Sequence, residues 1–189
     1  MISFADYLLT FTDIPSDSLE ALLNLFKLKS LAKDEFYARE ARVARKLAFL
    51  EEGLMRAFYR NDKGEEFNKT FFHNPAIVGA YSSLITKEVS MINIQCMTDC
   101  KIVEANFDDI VALYPEHRSI ETLNRKIAED FFVQKEKREM SLVMIDAAER
   151  YENFKEKFPT LENEIPQYQV ASYLGITAVQ LSRIRAKRR

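Results

Sequence analysis

The stretch Gln167 to Ala186, QYQVASYLGITAVQLSRIRA, constrains this chain more than any other. It carries the signals of a helix-turn-helix. Two short helices meeting at a steep angle need apolar anchors on their facing sides, a small residue where the backbones cross, and a glycine at the turn. Val170, Leu174, Ile176, Leu181 and Ile184 supply the anchors, and Ala171 is the small residue. Gly175 follows Leu174, where the first helix must stop and a left-handed backbone is least costly. Thr177 offers a hydroxyl to cap the second helix. The alternative is an ordinary helical hairpin that meets no nucleic acid, since short motifs carry false positives.

Charge bears on that choice. From Ile165 to Arg189 five residues are basic (Arg183, Arg185, Lys187, Arg188, Arg189) and none is acidic. The whole chain carries −2, so residues 1–164 carry −7. A basic end on an acidic protein is the footprint of a phosphate-contacting surface. A frayed, solvated terminus would account for Lys187 to Arg189. It accounts poorly for Arg183, which lies inside the predicted helix beside the anchor Ile184.

The rest of the chain can bury a core. Apolar residues make up 47% of 189 positions, with 14 Phe and 8 Tyr, enough for one large and one small domain. No run of 18 apolar residues occurs, so no membrane partner is expected. The opening MISFADYLLTFTDIP has no basic leader and carries Asp6, which makes a poor signal peptide. Cys96 and Cys100 suit a reducing cytoplasm and cannot supply the four thiolates of an iron–sulfur cluster. His73 and His117 are far apart and lie in no metal-binding spacing, so no metal site, no catalytic residue and no enzyme activity is expected. The two thiols flank Met97-Thr98-Asp99, a turn between strands. A redox switch there competes with two quiet buried thiols.

Taken in order, residues 17–26 predict a helix capped by Ser16, with Leu19, Leu22, Leu23 and Phe26 on one face. Short apolar or alternating runs follow: KLKSL, KLAFL, LMRAFYR, FNKTFF, MINIQCM and KIVEA. Turn signals at Asn61-Asp62-Lys63-Gly64 and His73-Asn74-Pro75 separate some of them. This pattern predicts an antiparallel sandwich, barrel or roll. Asn106 caps a short helix with Ile110, Val111 and Leu113. A long helix over 116–138 then carries Ile120, Leu123, Ile127, Phe131 and Phe132, an apolar stripe in need of cover. A second copy of the same helix is the economical partner, giving a homodimer; packing on the roll is the alternative. The polar run Gln134 to Glu139 predicts a hinge. A further helix with Met144, Ala147, Ala148, Tyr151, Phe154 and Phe158 on one face ends at Pro159.

A run of sheet strands, a long helix and a helix-turn-helix together resemble the Crp/Fnr family, the cyclic-AMP-receptor-like transcription regulators. The likeness is strongest in AERYENFKEKFPTLENEIPQYQVASYLGITAVQLSRIR and is visible in LEEGLMRAFYRNDKGEE and DKGEEFNKTFF. It implies an α+β fold: an N-terminal double-stranded β-roll of the jelly-roll-like, cyclic-nucleotide-binding kind, a long dimerisation helix, and a C-terminal helix-turn-helix of winged-helix type. The implied domains are 1–137, the sensor roll with its dimer helix, and 138–189, the DNA-binding part. Implied partners are double-stranded DNA, a second copy of the chain and RNA polymerase.

Cyclic-nucleotide members of the family carry a Gly-Glu pair and, further on, an Arg-Ser pair. The matching stretch here is GAYSSLITKEVSMIN, in which Gly79 matches, Ala80 replaces the Glu, and Ser90 and Met91 replace the Arg and Ser. No arginine occurs between Arg60 and Arg118, and Lys87 is the only nearby cation. The expected effector pocket is therefore Gly79, Ala80, Tyr81, Ser82, Ser83, Ser90 and Met91, with an unknown small effector and no cyclic nucleotide. Plain turn chemistry competes with ligand contact for the serines. The family's frequent Arg-Glu pair at the start of the recognition helix is Ala178-Val179 here. The residues expected at DNA are Gln167, Thr177, Ala178, Val179, Gln180, Ser182, Arg183, Arg185 and Lys187. Arg183 suits guanine and Gln180 suits adenine, while Ala178 or Val179 can meet a thymine methyl. No wing hairpin is expected after this helix, which leaves the basic tail to add affinity. A ligand-blind dimeric interaction module, with weak or no specific DNA binding, is the competing reading.

The cassette yields a first prediction. Calorimetry with millimolar cyclic AMP or cyclic GMP should give no saturable binding tighter than about 10 μM, because an uncompensated buried phosphate costs several kcal/mol. Tighter binding would show that Ala80, Ser90 and Met91 do not remove the site.

Overall fold

The computed structural model describes residues 2–187. Met1, Arg188 and Arg189 lie outside them, so two of the basic residues counted above have no structural account. The chain divides into two compact units. One is the chain up to Tyr59 together with Thr70–Asp130. The other is Arg60–Lys69 together with the chain from Phe131 onward.

The first unit is built on two four-stranded sheets. In one, β1 (Lys27–Leu31), β8 (Cys100–Asn106), β3 (Lys46–Glu52) and β6 (Ala76–Val78) lie in that order. In the other the order is β2 (Phe36–Ala38), β7 (Asn93–Cys96), β4 (Leu54–Arg60) and β5 (Glu66–His73). β1 and β3 run antiparallel to β8, β6 to β3, and both β2 and β4 to β7. Side chains alternate across a strand, so one face of each sheet is apolar and must be covered. Leu31, Ala48, Leu50, Val78 and Ile102 of the first sheet meet Met55, Ala57, Ile94 and Cys96 of the second. Each buried Leu, Ile, Val or Met among them contributes about 1.5–3 kcal/mol. Cys96 closes β7 and Cys100 opens β8; both thiols are free and buried.

Helices cover the outer side. Phe49 of β3 is buried away from the sheet interface and stacks on Phe4 of α1 (Phe4–Leu9), with centroids 4.7 Å apart. Tyr7 packs on the same ring at 5.3 Å. α2 (Ser16–Leu23), α3 (Tyr81–Thr86) and α4 (Phe107–Ala112) follow in their places. The first part of α5 (Arg118–Met144) is tied down by Lys126, whose ammonium donates to Phe11 O and Thr12 Oγ1, each at 3.2 Å. Asn124 donates to the Tyr114 hydroxyl at 2.6 Å.

The second unit holds the tip of the β4–β5 hairpin, the later part of α5, and α6 (Ala147–Lys157), α7 (Leu161–Glu164), α8 (Gln167–Leu174) and α9 (Ala178–Ala186). Among the described residues no helix is long and apolar enough to cross a membrane.

Several expectations are corrected. Ser16 opens α2 instead of capping it; Pro15 holds the cap position and α2 stops at Leu23, not Phe26. Asn106 sits at the N-cap of α4, but its side chain donates to Asp109 at 3.1 Å. The supposed hinge Gln134–Glu139 is helical throughout, because α5 runs unbroken to Met144 and the break falls at Ile145, with Asp146 capping α6. Met144 therefore belongs to α5 and is exposed. The stripe Ile120, Leu123 and Ile127 is buried within the single chain, so it does not await a second copy. Phe132 of the expected stripe is exposed, together with Val133, Met140, Leu142, Val143 and Met144 of α5.

Ile127→Asp accordingly tests folding of this unit. A carboxylate at this buried position should lower stability by roughly 2–4 kcal/mol or more, read by urea denaturation. An unchanged midpoint would contradict the burial of this face.

Candidate nucleic-acid interface

α8 stops because Gly175 takes φ 69° and ψ 33°, the left-handed conformation in which a Cβ is costly. Two reversed hydrogen bonds close the turn. Gly175 N–H donates to Ser172 O at 3.2 Å and Ile176 N–H to Ala171 O at 3.1 Å. This 5→2 and 6→1 pair is a Schellman motif, which satisfies carbonyls that a helix end leaves open. α9 then starts with a capping box. Thr177 Oγ1 accepts from Gln180 N–H at 3.2 Å, and Gln180 Oε1 accepts from Thr177 N–H at 2.9 Å. Val170, Ala171, Leu174 and Leu181 are buried between the helices, and Ile176 and Ile184 half-buried, so all six apolar or small residues of the motif meet.

Two arginines complete the end of α8. Arg150 of α6 donates from Nε to Leu174 O at 3.1 Å and from Nη1 to Ile145 O. Arg138 of α5 donates to Tyr173 O, with its guanidinium 4.1 Å from the Tyr173 ring centroid. Burial lowers the Arg138 pKa, and Tyr173 offsets part of that effect. Cations at a helix C-terminus also complement its dipole. Tyr173 further packs on Phe154 and Phe158, at 5.5 and 5.7 Å. On the other side of α8, the hairpin tip is held by polar contacts. Ser172 Oγ accepts from Asn68 N–H at 2.9 Å and donates to Glu66 O at 3.0 Å, and Asn68 Nδ2 donates to Gln169 O at 2.9 Å. Sequence reading passed over Arg138, Arg150, Asn68 and Ser172. Their only signal is polarity, which on a helix or at a hairpin tip usually means solvent.

The helix-turn-helix residues expected at DNA fall into two groups. Ala178, Val179, Ser182 and Arg183 are exposed and share, with Ala186, roughly 140° of α9 at 100° per residue. Val179 is 61% exposed, a high value for an apolar side chain. Lys187 is exposed just past α9, and Arg185 is half-buried. Thr177 and Gln180 are exposed but bonded to each other in the cap. Gln167 is half-buried and donates to Glu162 O at 2.9 Å.

The expected effector residues cluster around α3, and the hydroxyls of Ser83 and Ser90 are occupied. Ser83 Oγ accepts from Ala44 N–H at 2.9 Å and donates to Glu88 O. Ser90 Oγ donates to Ile92 O at 2.8 Å and accepts from Ile92 N–H at 3.1 Å. Ala80 is buried, Gly79 half-buried and Ser82 exposed. Tyr81 meets Phe107 edge-on at 6.0 Å, and Met91 is 75% exposed. Lys87 pairs with Asp108. Among the described residues no group of His, Cys, Asp and Glu has metal-binding geometry.

No family model matches the chain, and no curated protein is recognisably similar in sequence. Solved structures do share its architecture. The c-di-GMP-responsive global regulator CLP of Xanthomonas campestris matches over 92% of this chain and 91% of its own, at 14% identity and TM-score 0.69. FixK2 of Bradyrhizobium japonicum matches over 86% and 83%, at 14% identity and TM-score 0.71. A protein of Eubacterium rectale, assigned to the Crp/Fnr family as a transcriptional regulator, matches over 95% and 85%, at 12% identity and TM-score 0.72. At these identities the likeness establishes the fold. The chain has the fold of Crp/Fnr regulators, with a two-sheet β-roll, a long helix and a helix-turn-helix.

The arginine clamp gives the prediction here. Arg150→Ala leaves the Leu174 and Ile145 carbonyls without their charged donor and should cost about 1.5–3 kcal/mol, measured by chemical denaturation followed in the helical signal. A loss under about 0.5 kcal/mol, the range of a neutral surface substitution, would mean that water replaces the guanidinium without penalty.

Proposed function

We propose that the protein is a sequence-specific DNA-binding transcription regulator of the Crp/Fnr type. It acts as a homodimer in the cytoplasm, has no enzymatic activity, and its roll does not take cyclic AMP. The observation that carries this reading is the outer face of α9. Arg183 stands there beside the exposed Val179 and Ser182, on a helix fixed at one end by a capping box and at its turn by the Gly175 motif. A rigid scaffold that presents an arginine and an apolar side chain outward suits a major-groove edge. The guanidinium bonds guanine bidentately and Val179 meets a thymine methyl. The basic Arg185 and Lys187 supply phosphate contacts, which position without reading sequence.

The dimer follows from α5. Phe132 (66% exposed), Val133, Met140, Val143 (85% exposed) and Met144 lie within roughly 120° of helical arc. A large exposed apolar stripe marks an interaction surface. A second copy is the partner that also yields two helix-turn-helix motifs for a two-fold operator. The cassette residues support a sensor unlike that for cyclic nucleotides, since Ser83 and Ser90 spend their hydroxyls inside the chain. RNA polymerase remains a proposed partner by likeness of fold alone.

One observation favours the ligand-blind module instead: the Gln180 carbonyl oxygen is turned back into the cap, which leaves Arg183 as the long polar side chain on the outer face. Selection of duplex DNA from a random pool, followed by mobility shifts, separates the readings. Sequence-selective retention supports the regulator, whereas purely salt-sensitive retention supports the module.

Arg183→Ala should cost roughly 1–3 kcal/mol on the selected site and relax preference at one base pair. Removing Lys187 to Arg189 should weaken binding to all sequences and flatten the salt dependence. Phe132→Asp with Val143→Asp should give a monomer by light scattering. A wild-type monomer at micromolar concentration would sink the dimer.

A further inference from the structure

The inner face of the first sheet changes character along its length. Leu31, Ala48, Leu50 and Ile102 form core at one end. Paired register and two-residue alternation continue that same face as Lys29, Glu104 and Lys46. There β2 and the connection from Arg39 to Arg45 stand opposite, and a cavity of about 410 Å³ opens. That volume lies within the span of small-molecule sites, about 300–1,000 Å³.

Its walls hold five cations, Lys29, Arg39, Arg42, Arg45 and Lys46, and one carboxylate, Glu104. Glu104 is buried and engages Lys46 at 2.6 Å and Lys29 at 3.8 Å. Arg39 lies over the Phe36 ring at 3.8 Å. Neither Arg42 nor Arg45 has an ion-pair partner among the described residues. A cluster this basic, in a chain of net charge −2, repels itself unless an anion joins it.

Two further observations point to a ligand. Tyr37 lines the cavity, and its hydroxyl is buried with no hydrogen-bond partner. Burial, and then the Glu104 carboxylate, raises its pKa, so the phenol stays protonated and able to donate. An orphaned buried hydroxyl is costly, and a native one calls for an explanation. The arginines are also carried on a pinned backbone. Ala41 N–H donates to Ser90 O at 2.9 Å, Ser90 N–H to Arg42 O at 2.8 Å, and Phe107 N–H to Arg45 O at 2.9 Å. Ala41 is held at φ 58°, a strained value for alanine. A pinned backbone leaves only side-chain entropy to be lost on binding.

We propose that this cavity, whose lining takes no residue from the 79–91 segment, binds a small phosphorylated metabolite. Arg42, Arg45 and Arg39 hold its phosphate by charge-assisted bonds. The Tyr37 hydroxyl donates to its deeper end. A nucleic-acid backbone fits less well, because the hydroxyl and Glu104 lie inside a concavity that a duplex does not enter.

Inorganic pyrophosphate is the probe, titrated calorimetrically into the full chain at low salt. Saturable binding with Kd below about 1 mM is expected. It should weaken at least about tenfold in Arg42→Ala/Arg45→Ala and stay unchanged in Lys33→Ala/Lys63→Ala, two exposed lysines outside the cavity. Tyr37→Phe should leave the melting temperature of the free protein unchanged or raised, since no bond is lost. Three outcomes overturn the proposal: no saturable binding, equal loss in both double variants, or displacement of pyrophosphate by duplex DNA, which would make the patch a nucleic-acid surface. A drop in melting temperature for Tyr37→Phe would remove the hydroxyl as a waiting donor.

Discussion

A helix that ends inside a protein leaves carbonyl groups that must find donors. At the end of α8 every one of the last four is answered. Gly175 and Ile176 bend back onto Ser172 and Ala171, while Arg138 and Arg150 take Tyr173 and Leu174. The direction in which α9 leaves is therefore set by backbone bonds and two guanidinium groups as well as by apolar packing. The exposed face of α9 depends on this junction. So does the seating of the hairpin tip, because Ser172 sits on the same helix and bonds both Glu66 and Asn68.

The roll uses its polar groups in two contrasting ways. Around α3 they are consumed within the chain: Ser83 bonds Ala44 and Glu88, Ser90 closes a turn with Ile92, and Lys87 neutralises Asp108. At the open end of the first sheet cations outnumber carboxylates, with five of them around Glu104, which pairs with Lys46 and Lys29. Low dielectric makes both arrangements consequential, since satisfied groups rigidify a fold and unsatisfied ones cost it stability.

Much of this was legible because it is local. The Gly175 stop and the Thr177 cap act over five residues or fewer, the apolar anchors fall within one 20-residue window, and the structure uses each as the spacing suggests. Six of the eight strands were visible as alternating runs. β2 and β6 were not, for three residues are too few to show a period. α1 and α3, each of six residues, were likewise missed. α1 shows its role only once Phe4 stacks on Phe49, far along the chain.

Sequence alone determined that α5 has an apolar stripe, that the second helix of the motif has an outward arginine, and that no arginine lies between Arg60 and Arg118. Each is a statement about residue type and position along the chain. Tertiary structure decided what those features meet. It covered Ile120, Leu123 and Ile127 with the chain's own residues and left Phe132 and Val143 bare. It carried α5 helically through a polar run that reads as a hinge, and in that run Arg138 meets Tyr173. It gathered Lys29, Arg39, Arg42, Arg45 and Lys46 around Glu104, a pairing across 58 to 75 positions. Periodicity tells which side of a helix or strand is apolar. Only the packing of distant segments tells whether a face is covered, or whether a charge has found its partner.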